Sequence, residues 1–190
     1  EGRIYLDLCN EAWQVIEIDR HGWRLAADCP VKFIRSPAMR PLPMPSEDDG
    51  GPSAINRLWE FCNLASERDF VLVAAWLVAS LRERGPYPML IVNGPQGSGK
   101  STFTKLVRGL VDPSKSPIRS APKDDRDIFV AAVNSHVIAL DNVSRVEPWL
   151  SDGLCRIATG GGFGTRALHT DTDEIVFDGA RPIILNGIPH

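Results

Sequence analysis

The pattern of hydrophobic and polar positions divides the chain into a β-rich start and a longer α/β remainder. Short apolar runs, separated by turn-forming residues, favour strands at residues 4–8, 13–18, 23–26 and 31–34. Residues 37–53 are dense in proline, glycine and acidic residues, a composition that disfavours helix and sheet and predicts a linker. Because about 35 residues bury little surface, we expect residues 1–36 to be a small β-rich appendage that docks on its neighbour or on residues now missing.

Helical spacing begins after the predicted linker. Apolar residues recur at intervals of three and four along residues 55–65, which predicts one helix. A second helix is predicted over residues 67–84, and its middle is apolar on all sides, so we expect it to be buried on several sides. Together these helices form a helical segment, residues 54–86, that ends at Gly85-Pro86.

From residue 87 onward, predicted strands and helices alternate. The strands are expected at residues 89–92, 118–120, 136–140 and 181–185, and the helices at residues 100–111, 124–134 and 148–158. Two further strand-like runs, residues 165–168 and 174–177, flank a polar bend and predict a hairpin. The alternation predicts an α/β fold in which residues 87–190 form a parallel sheet flanked by helices.

The strongest motif is a glycine-rich segment between the first of these strands and its helix. It satisfies the phosphate-loop pattern G-x-x-x-x-G-K-[ST] with the residues Gly94, Pro95, Gln96, Gly97, Ser98, Gly99, Lys100 and Ser101. Glycine lets the backbone approach phosphate oxygens, and a helix N-terminus favours anions. We expect Lys100 to meet the β- and γ-phosphates, Ser101 to reach Mg²⁺, and Thr102 to add a contact to the α-phosphate. The segment therefore predicts binding of a nucleoside triphosphate with Mg²⁺.

Two later apolar strands each end in a polar residue. Residues 137–141 end in Asp141, and residues 181–186 end in Asn186. Because ligands in open α/β sheets lie beyond the carboxyl ends of the strands, we expect Asp141 to lie beside Ser101 and serve the metal. Asn186 carries a donor and an acceptor, so we expect it to hydrogen-bond the γ-phosphate and the attacking water.

Charge and composition narrow the classes of partner. The 190 residues include 21 Lys and Arg and 24 Asp and Glu, so a nucleic-acid contact must be local and not a property of the whole surface. The longest apolar run, residues 70–81, is shorter than the roughly 20 residues that span a bilayer, so we expect no membrane contact. The four cysteines lack metal-site spacing and predict buried free thiols in a reducing cytoplasm. The start at Glu1, without an initiator Met or a signal-peptide pattern, predicts a cytoplasmic piece of a longer protein.

The order of these motifs resembles the superfamily 3 helicases, AAA+ ATPases of small DNA viruses, phages and plasmids. The similarity covers residues 54–190 and rests on the phosphate loop, Asp141, the glycine-rich residues 158–166 and Asn186. Within this superfamily, the chain resembles the primase–helicases of phages and mobile elements. The resemblance implies a P-loop AAA+ sheet, a homo-hexameric ring, and ATP hydrolysis that draws single-stranded or forked DNA through a pore in a bacterial or phage-infected cell. It also implies that Arg166 and His169 of the hairpin contact the DNA backbone, although the bend at residues 171–174 is acidic.

The chain departs from this family at two places. Asn142 stands where the family has a second acid that activates water; Glu147 is the nearest replacement, so we expect slow hydrolysis. The family's arginine finger and the fifth strand of its sheet would lie beyond His190, which implies that the C-terminal part of the fold is truncated here.

Two other functions fit the same loop. One is a small-molecule phosphotransferase, although kinases of that type carry an arginine-rich lid, and residues 160–163 followed by a hairpin fit a motor better. The other is a non-motor nucleotide-dependent switch that assembles partners, which Asn142 supports.

Overall fold

A four-stranded parallel sheet forms the centre of the molecule. The computed structural model describes residues 2–46, 52–161, 163–166, 174–177 and 179–187. The strand order is β4-β9-β6-β5, so the last strand of the chain lies between the strand that leads into the glycine-rich loop and the strand that ends in Asp141. The four strands are β4 (Met89–Val92), β5 (Arg119–Ser120), β6 (Ile138–Asp141) and β9 (Ile183–Asn186).

Helices cover both faces of this sheet. On one face, α2 (Glu67–Ser80) and α3 (Lys100–Gly109) pack on Ala139 and Ile184. On the other face lie α4 (Asp125–Asn134) and α5 (Pro148–Thr159), which pack on the alternate residues of the same two strands. Successive side chains of a strand point to opposite faces, and both faces of β6 and β9 are covered, so each strand is apolar up to its last residue. The predicted α/β class with a parallel, helix-flanked sheet is confirmed.

The predicted boundaries of the core helices agree closely with their capping residues. The side chain of Asp124 accepts a hydrogen bond from the Asp127 N–H at 2.9 Å and so starts α4. Pro148 occupies the first turn of α5, where its missing N–H costs nothing, and Gly160 ends that helix with a left-handed φ of 80°.

Residues near the N-terminus form a separate antiparallel sheet of three strands. These are β1 (Ile4–Asp7), β2 (Val15–Asp19) and β3 (Gly22–Leu25), paired in the order β1-β2-β3. The predicted strand at residues 31–34 does not form. No neighbouring strand offers it hydrogen-bond partners in the described structure, and Ile34 is 96% exposed.

The described part of the predicted linker contacts both the small sheet and the core. The Arg40 N–H donates to Pro113 O at 2.9 Å, and the Lys115 N–H donates to Ala38 O at 2.8 Å. The Leu42 N–H donates to Leu8 O at 2.9 Å. These bonds dock the small sheet on the core, next to the loop that follows α3; the domain boundaries themselves stay a prediction.

The helical segment differs from its prediction. A short helix α1 (Pro52–Arg57) continues as a 3-10 helix, Leu58–Phe61, and the backbone becomes extended at Cys62, so the single helix over residues 55–65 was wrong. Helix α2 ends at Ser80, before the predicted residue 84. Its expected burial on several sides was also wrong, because Val71, Leu72 and Val78 are exposed. The sheet covers only one side of this helix.

Two smaller expectations concern the hairpin and the cysteines. The hairpin pairs β7 (Phe163–Arg166) with β8 (Glu174–Phe177), so its first strand begins earlier than the predicted residue 165. All four cysteines are free, but their predicted burial was wrong for most of them, since Cys62 alone is buried and Cys155 is exposed. Within the described residues, no helix is both long enough and apolar enough to cross a membrane.

Candidate phosphate-binding site

The glycine-rich loop leaves the carboxyl end of β4 and turns directly into α3. Gly97 and Gly99 have left-handed φ angles of 78° and 86°, which glycine adopts without the steric cost that a Cβ would add. A Cβ built on Gly94 would lie 2.8 Å from the Ser98 Oγ, closer than side-chain contacts allow. The left-handed backbone therefore explains the glycines at positions 97 and 99, whereas a Cβ at position 94 would require the Ser98 side chain to move.

Lys100 is the first residue of α3 and folds back over the loop. Its Nζ donates to Gly94 O at 2.8 Å and to Pro95 O at 2.9 Å. The first N–H groups of a helix have no partner within the helix, so the loop presents backbone donors beside a positive charge. Phosphate oxygens can replace the two carbonyl oxygens as partners of the amine, because they are stronger acceptors.

Ser101 and Asp141 meet where α3 begins and β6 ends. The Ser101 hydroxyl donates to Asp141 Oδ1 at 2.7 Å, and both residues are half-buried. A hydroxyl and a carboxylate are hard oxygen ligands of the kind that Mg²⁺ prefers, and magnesium at phosphate sites takes its other ligands from phosphate and water. No group of three His, Cys, Asp or Glu side chains in the described parts of the chain could hold a metal ion. The donor set at Ser101 and Asp141 therefore fits Mg²⁺ bound together with a phosphate ligand.

Asn186 ends β9, between the loop and Asp141, and is 1% exposed. Its Nδ2 donates to Thr104 Oγ1 at 3.0 Å, and its Oδ1 accepts the Asn142 N–H at 2.9 Å. The structure thus brings Asn186 to the predicted edge of the sheet, with both ends of its amide bonded to protein. Its contact with a γ-phosphate stays a prediction.

Thr104 is a site residue that the sequence analysis missed. It is completely buried on α3 and lies three residues after Ser101 and four after Lys100, which places it on the same side of the helix. A polar residue at this spacing on a helix that follows a phosphate loop was the signal that could have found it.

Asn142 follows Asp141 with a left-handed φ of 56°. Asparagine is among the few residues other than glycine that adopt this conformation readily, which gives a local reason for its presence. Glu147, the predicted replacement acid, immediately precedes α5, and its carboxylate is paired with Arg145 Nε at 3.0 Å. Arg166 ends β7 but its side chain is not among the described ones, and His169 lies outside the described residues, so their contact with DNA stays a prediction.

A cleft of about 850 Å³ opens beside the loop, along the exposed edge of β4. Ser98, Lys100 and Thr102 form its polar end, and the segment around the start of α2 forms much of its apolar wall. The apolar lining consists mainly of Phe61, Leu64, Ala65, Leu72, Val73, Leu90, Ile91, Val92 and Phe103. An apolar cleft that ends in a few polar groups is typical of small-molecule sites, and this one has room for a nucleoside next to the phosphate loop.

Comparison with known proteins adds a family to this geometry. A family model described as actinomycete integrative conjugative element replication protein matches residues 55–190. No curated protein and no solved structure matches the chain. The matched residues include the whole phosphate loop, Asp141 and Asn186. The chain therefore belongs to the family of actinomycete integrative conjugative element replication proteins.

Proposed function

We propose that this chain is the ATP-driven motor domain of a mobile-element replication protein. The observation that carries the proposal is the 2.7 Å hydrogen bond between Ser101 and Asp141, beside a loop closed by Lys100. The bond joins the hydroxyl and the carboxylate that a magnesium ion requires, and Lys100, which precedes Ser101, supplies the amine that a triphosphate requires. The family description, a replication protein, makes DNA the expected partner of the motor.

The loop and its lysine supply most of the binding in this proposal. Backbone N–H groups at the start of α3 and the Lys100 amine hold the β- and γ-phosphates. Bound Mg²⁺, held by Ser101 and Asp141, supplies positive charge against the phosphate oxygens. The apolar cleft along β4 takes the nucleoside.

The residues that would support ATP hydrolysis are less complete than those that would bind the nucleotide. Asn142 can orient a water molecule but cannot accept its proton, and Glu147 forms an exposed ion pair with Arg145. Phosphoryl transfer depends mainly on positioning and charge stabilisation, so slow hydrolysis fits these residues. This observation favours a second candidate, a nucleotide-dependent switch that assembles partners without rapid turnover.

Action on DNA is proposed from the resemblance to superfamily 3 helicases together with the family description. The motor would work as a homo-hexameric AAA+ ring on single-stranded or forked DNA. Arg166 and His169 are proposed to contact the phosphate backbone without sequence preference.

The test is nucleotide binding and ATP hydrolysis by the whole chain, with and without single-stranded DNA. We expect Lys100→Ala to lower ATP affinity roughly 10- to 100-fold, because it removes charge-assisted hydrogen bonds to phosphate. Asn186→Ala should retain metal-free ATP binding and reduce turnover. Lys105→Ala is the matched control, because Lys105 is an exposed lysine on the same helix, α3.

The outcomes separate the candidate functions. Hydrolysis stimulated by single-stranded DNA supports the motor, and nucleotide-dependent assembly without hydrolysis supports the switch. Phosphorylation of a small molecule would contradict both of these functions and would support a phosphotransferase. Equal ATP affinities for Lys100→Ala and Lys105→Ala would disprove the phosphate-loop assignment itself.

A further inference from the structure

Two separate hydrogen-bonded links join α3 to the end of β6. The direct link is the bond from the Ser101 hydroxyl to Asp141. The second link, which we call the Asn186 bridge, runs from Thr104 on α3 through the Asn186 side chain to the backbone N–H of Asn142. The two links end on adjacent residues of the same turn.

The orientation of the bridging amide follows from its partners. A backbone N–H can only donate, so the Asn142 N–H requires the carbonyl oxygen of the Asn186 side chain. The amide nitrogen then faces Thr104 Oγ1, which accepts. Thr104 and Asn186 are 0% and 1% exposed, so water cannot substitute for a lost partner at this place. Reversing the amide would set two donors against each other, which is costly in a buried site.

The backbone around the Asn186 bridge leaves little freedom for the turn. The Val143 N–H donates to Asn186 O at 2.9 Å, a second bond between the same two segments. A Cβ built on Gly187 would lie 2.8 Å from Asn142 Cα, so the two backbones are in direct contact. The position of Asn142, and with it the carboxylate of Asp141, therefore follows the position of Asn186.

The two links differ in which atoms they use. The direct link consists of the same Ser101 and Asp141 oxygens that we assign to Mg²⁺, so it does not fix the carboxylate independently of that ion. The Asn186 bridge uses none of these oxygens. It is available to hold Asp141 whether or not a metal is bound.

We propose that Thr104 is a positioning residue for the metal: through Asn186 and the Asn142 N–H, it holds the Asp141 carboxylate where a magnesium–nucleotide complex requires it. This inference rests on the proposed function. Thr104 itself contacts neither the loop nor the predicted metal ligands in the hydrogen bonds described, so its effect is indirect.

The test compares the affinity of ATP with Mg²⁺ and with a chelator, for the unmodified chain, Thr104→Val and Thr104→Ser. Valine keeps the shape of threonine but leaves the Asn186 amide without an acceptor. We expect Thr104→Val to bind metal-free ATP as tightly as the unmodified chain. The increase in ATP affinity that Mg²⁺ produces should be roughly tenfold smaller, which is the usual effect of removing a residue that positions a metal ligand. Thr104→Ser restores the acceptor and should recover the gain.

A role in packing alone would lower both affinities together or would affect serine and valine alike. Either result overturns the inference, as does a full magnesium gain in Thr104→Val. If thermal melting shows that Thr104→Val does not fold, Thr104→Ala takes its place in the same comparison. Failure of the unmodified chain to bind ATP under both conditions overturns the proposed function instead.

Discussion

At the scale of single residues, left-handed backbone positions define the geometry of the site. Gly97 and Gly99 turn the loop into α3, and Asn142 and Gly187 bring the ends of β6 and β9 together. These positions differ in their surroundings. Nothing lies near the place where a Cβ would sit on Gly97, whereas Gly187 faces the backbone of Asn142. The same substitution should therefore cost different amounts at the two glycines.

We predict that Gly187→Ala lowers the free energy of unfolding by more than about 2 kcal/mol, because backbone strain adds to a clash with main-chain atoms that cannot rotate away. Gly97→Ala is the matched control and should cost only about 1 to 2 kcal/mol, the strain of a left-handed alanine. Chemical denaturation of both variants measures the difference. Equal losses would show that the close approach of Gly187 to Asn142 is not a constraint.

At the scale of elements, α3 is fixed at both ends. Its first turn meets β6 through Ser101 and Asp141, and its last turn carries the buried ion pair between Arg108 and Asp112, with Nη2 and Oδ2 3.0 Å apart. Arg108 also donates to Pro117 O at 2.9 Å, and Asp112 accepts the Val137 N–H at 2.9 Å. Burial lowers the pKa of the Arg108 guanidinium, and the Asp112 charge opposes that shift. The pair thus ties the helix to the segments that enter β5 and β6.

We predict that Arg108→Met destabilises the protein by about 3 to 5 kcal/mol, because it leaves the Asp112 carboxylate buried without its counter-charge. Arg145→Met provides a matched control, since Arg145 pairs with Glu147 at the surface, where it is 79% exposed. An exposed pair contributes at most about 1 kcal/mol. The stability of the two variants is measured by thermal and denaturant unfolding. Similar losses of stability would refute the prediction.

At the scale of the whole molecule, an open pocket of about 420 Å³ lies between the small N-terminal sheet and the core. His136, just before β6, lines the core side of this pocket. The Nε2 atom of His136 lies 2.8 Å from Ser80 O and donates to it, because a carbonyl oxygen can only accept. Burial lowers the pKa of His136, against the raising effects of the Ser80 carbonyl and the Asp112 charge. The folded protein therefore favours the neutral imidazole.

The sign of the resulting pH dependence follows from linkage. The unfolded chain binds this proton more readily, so the free energy of unfolding falls as the pH drops below the ordinary histidine pKa of about 6.5. The slope from one such group is at most about 1.4 kcal/mol per pH unit. We predict a smaller slope for His136→Gln between about pH 7 and pH 5.5, measured by denaturant unfolding. An unchanged slope would show that His136 does not control it.

The sequence could predict those parts of the fold whose signals are local. Hydrophobic periodicity placed the strands and helices of the core, because residues near each other in the chain determine which face is apolar. The strand predicted at residues 31–34 does not form because no described strand pairs with it, which local spacing cannot show. The helix predicted over residues 55–65 was wrong because the backbone becomes extended at Cys62. Likewise, the outer side of α2 is apolar but exposed among the described residues, and its local sequence does not indicate this exposure.

By itself, the sequence determined which residues make up the candidate site: a glycine-rich loop with Lys100 and Ser101, and two apolar strands that end in Asp141 and Asn186. These residues follow from motif spacing and from the rule that parallel strands end at one edge of a sheet. Only the tertiary structure decided that β9 lies between β4 and β6, and therefore that Asn186 joins Thr104 to Asn142. Strand order and the pairing of buried polar groups depend on contacts between residues far apart in the chain, which no local pattern encodes.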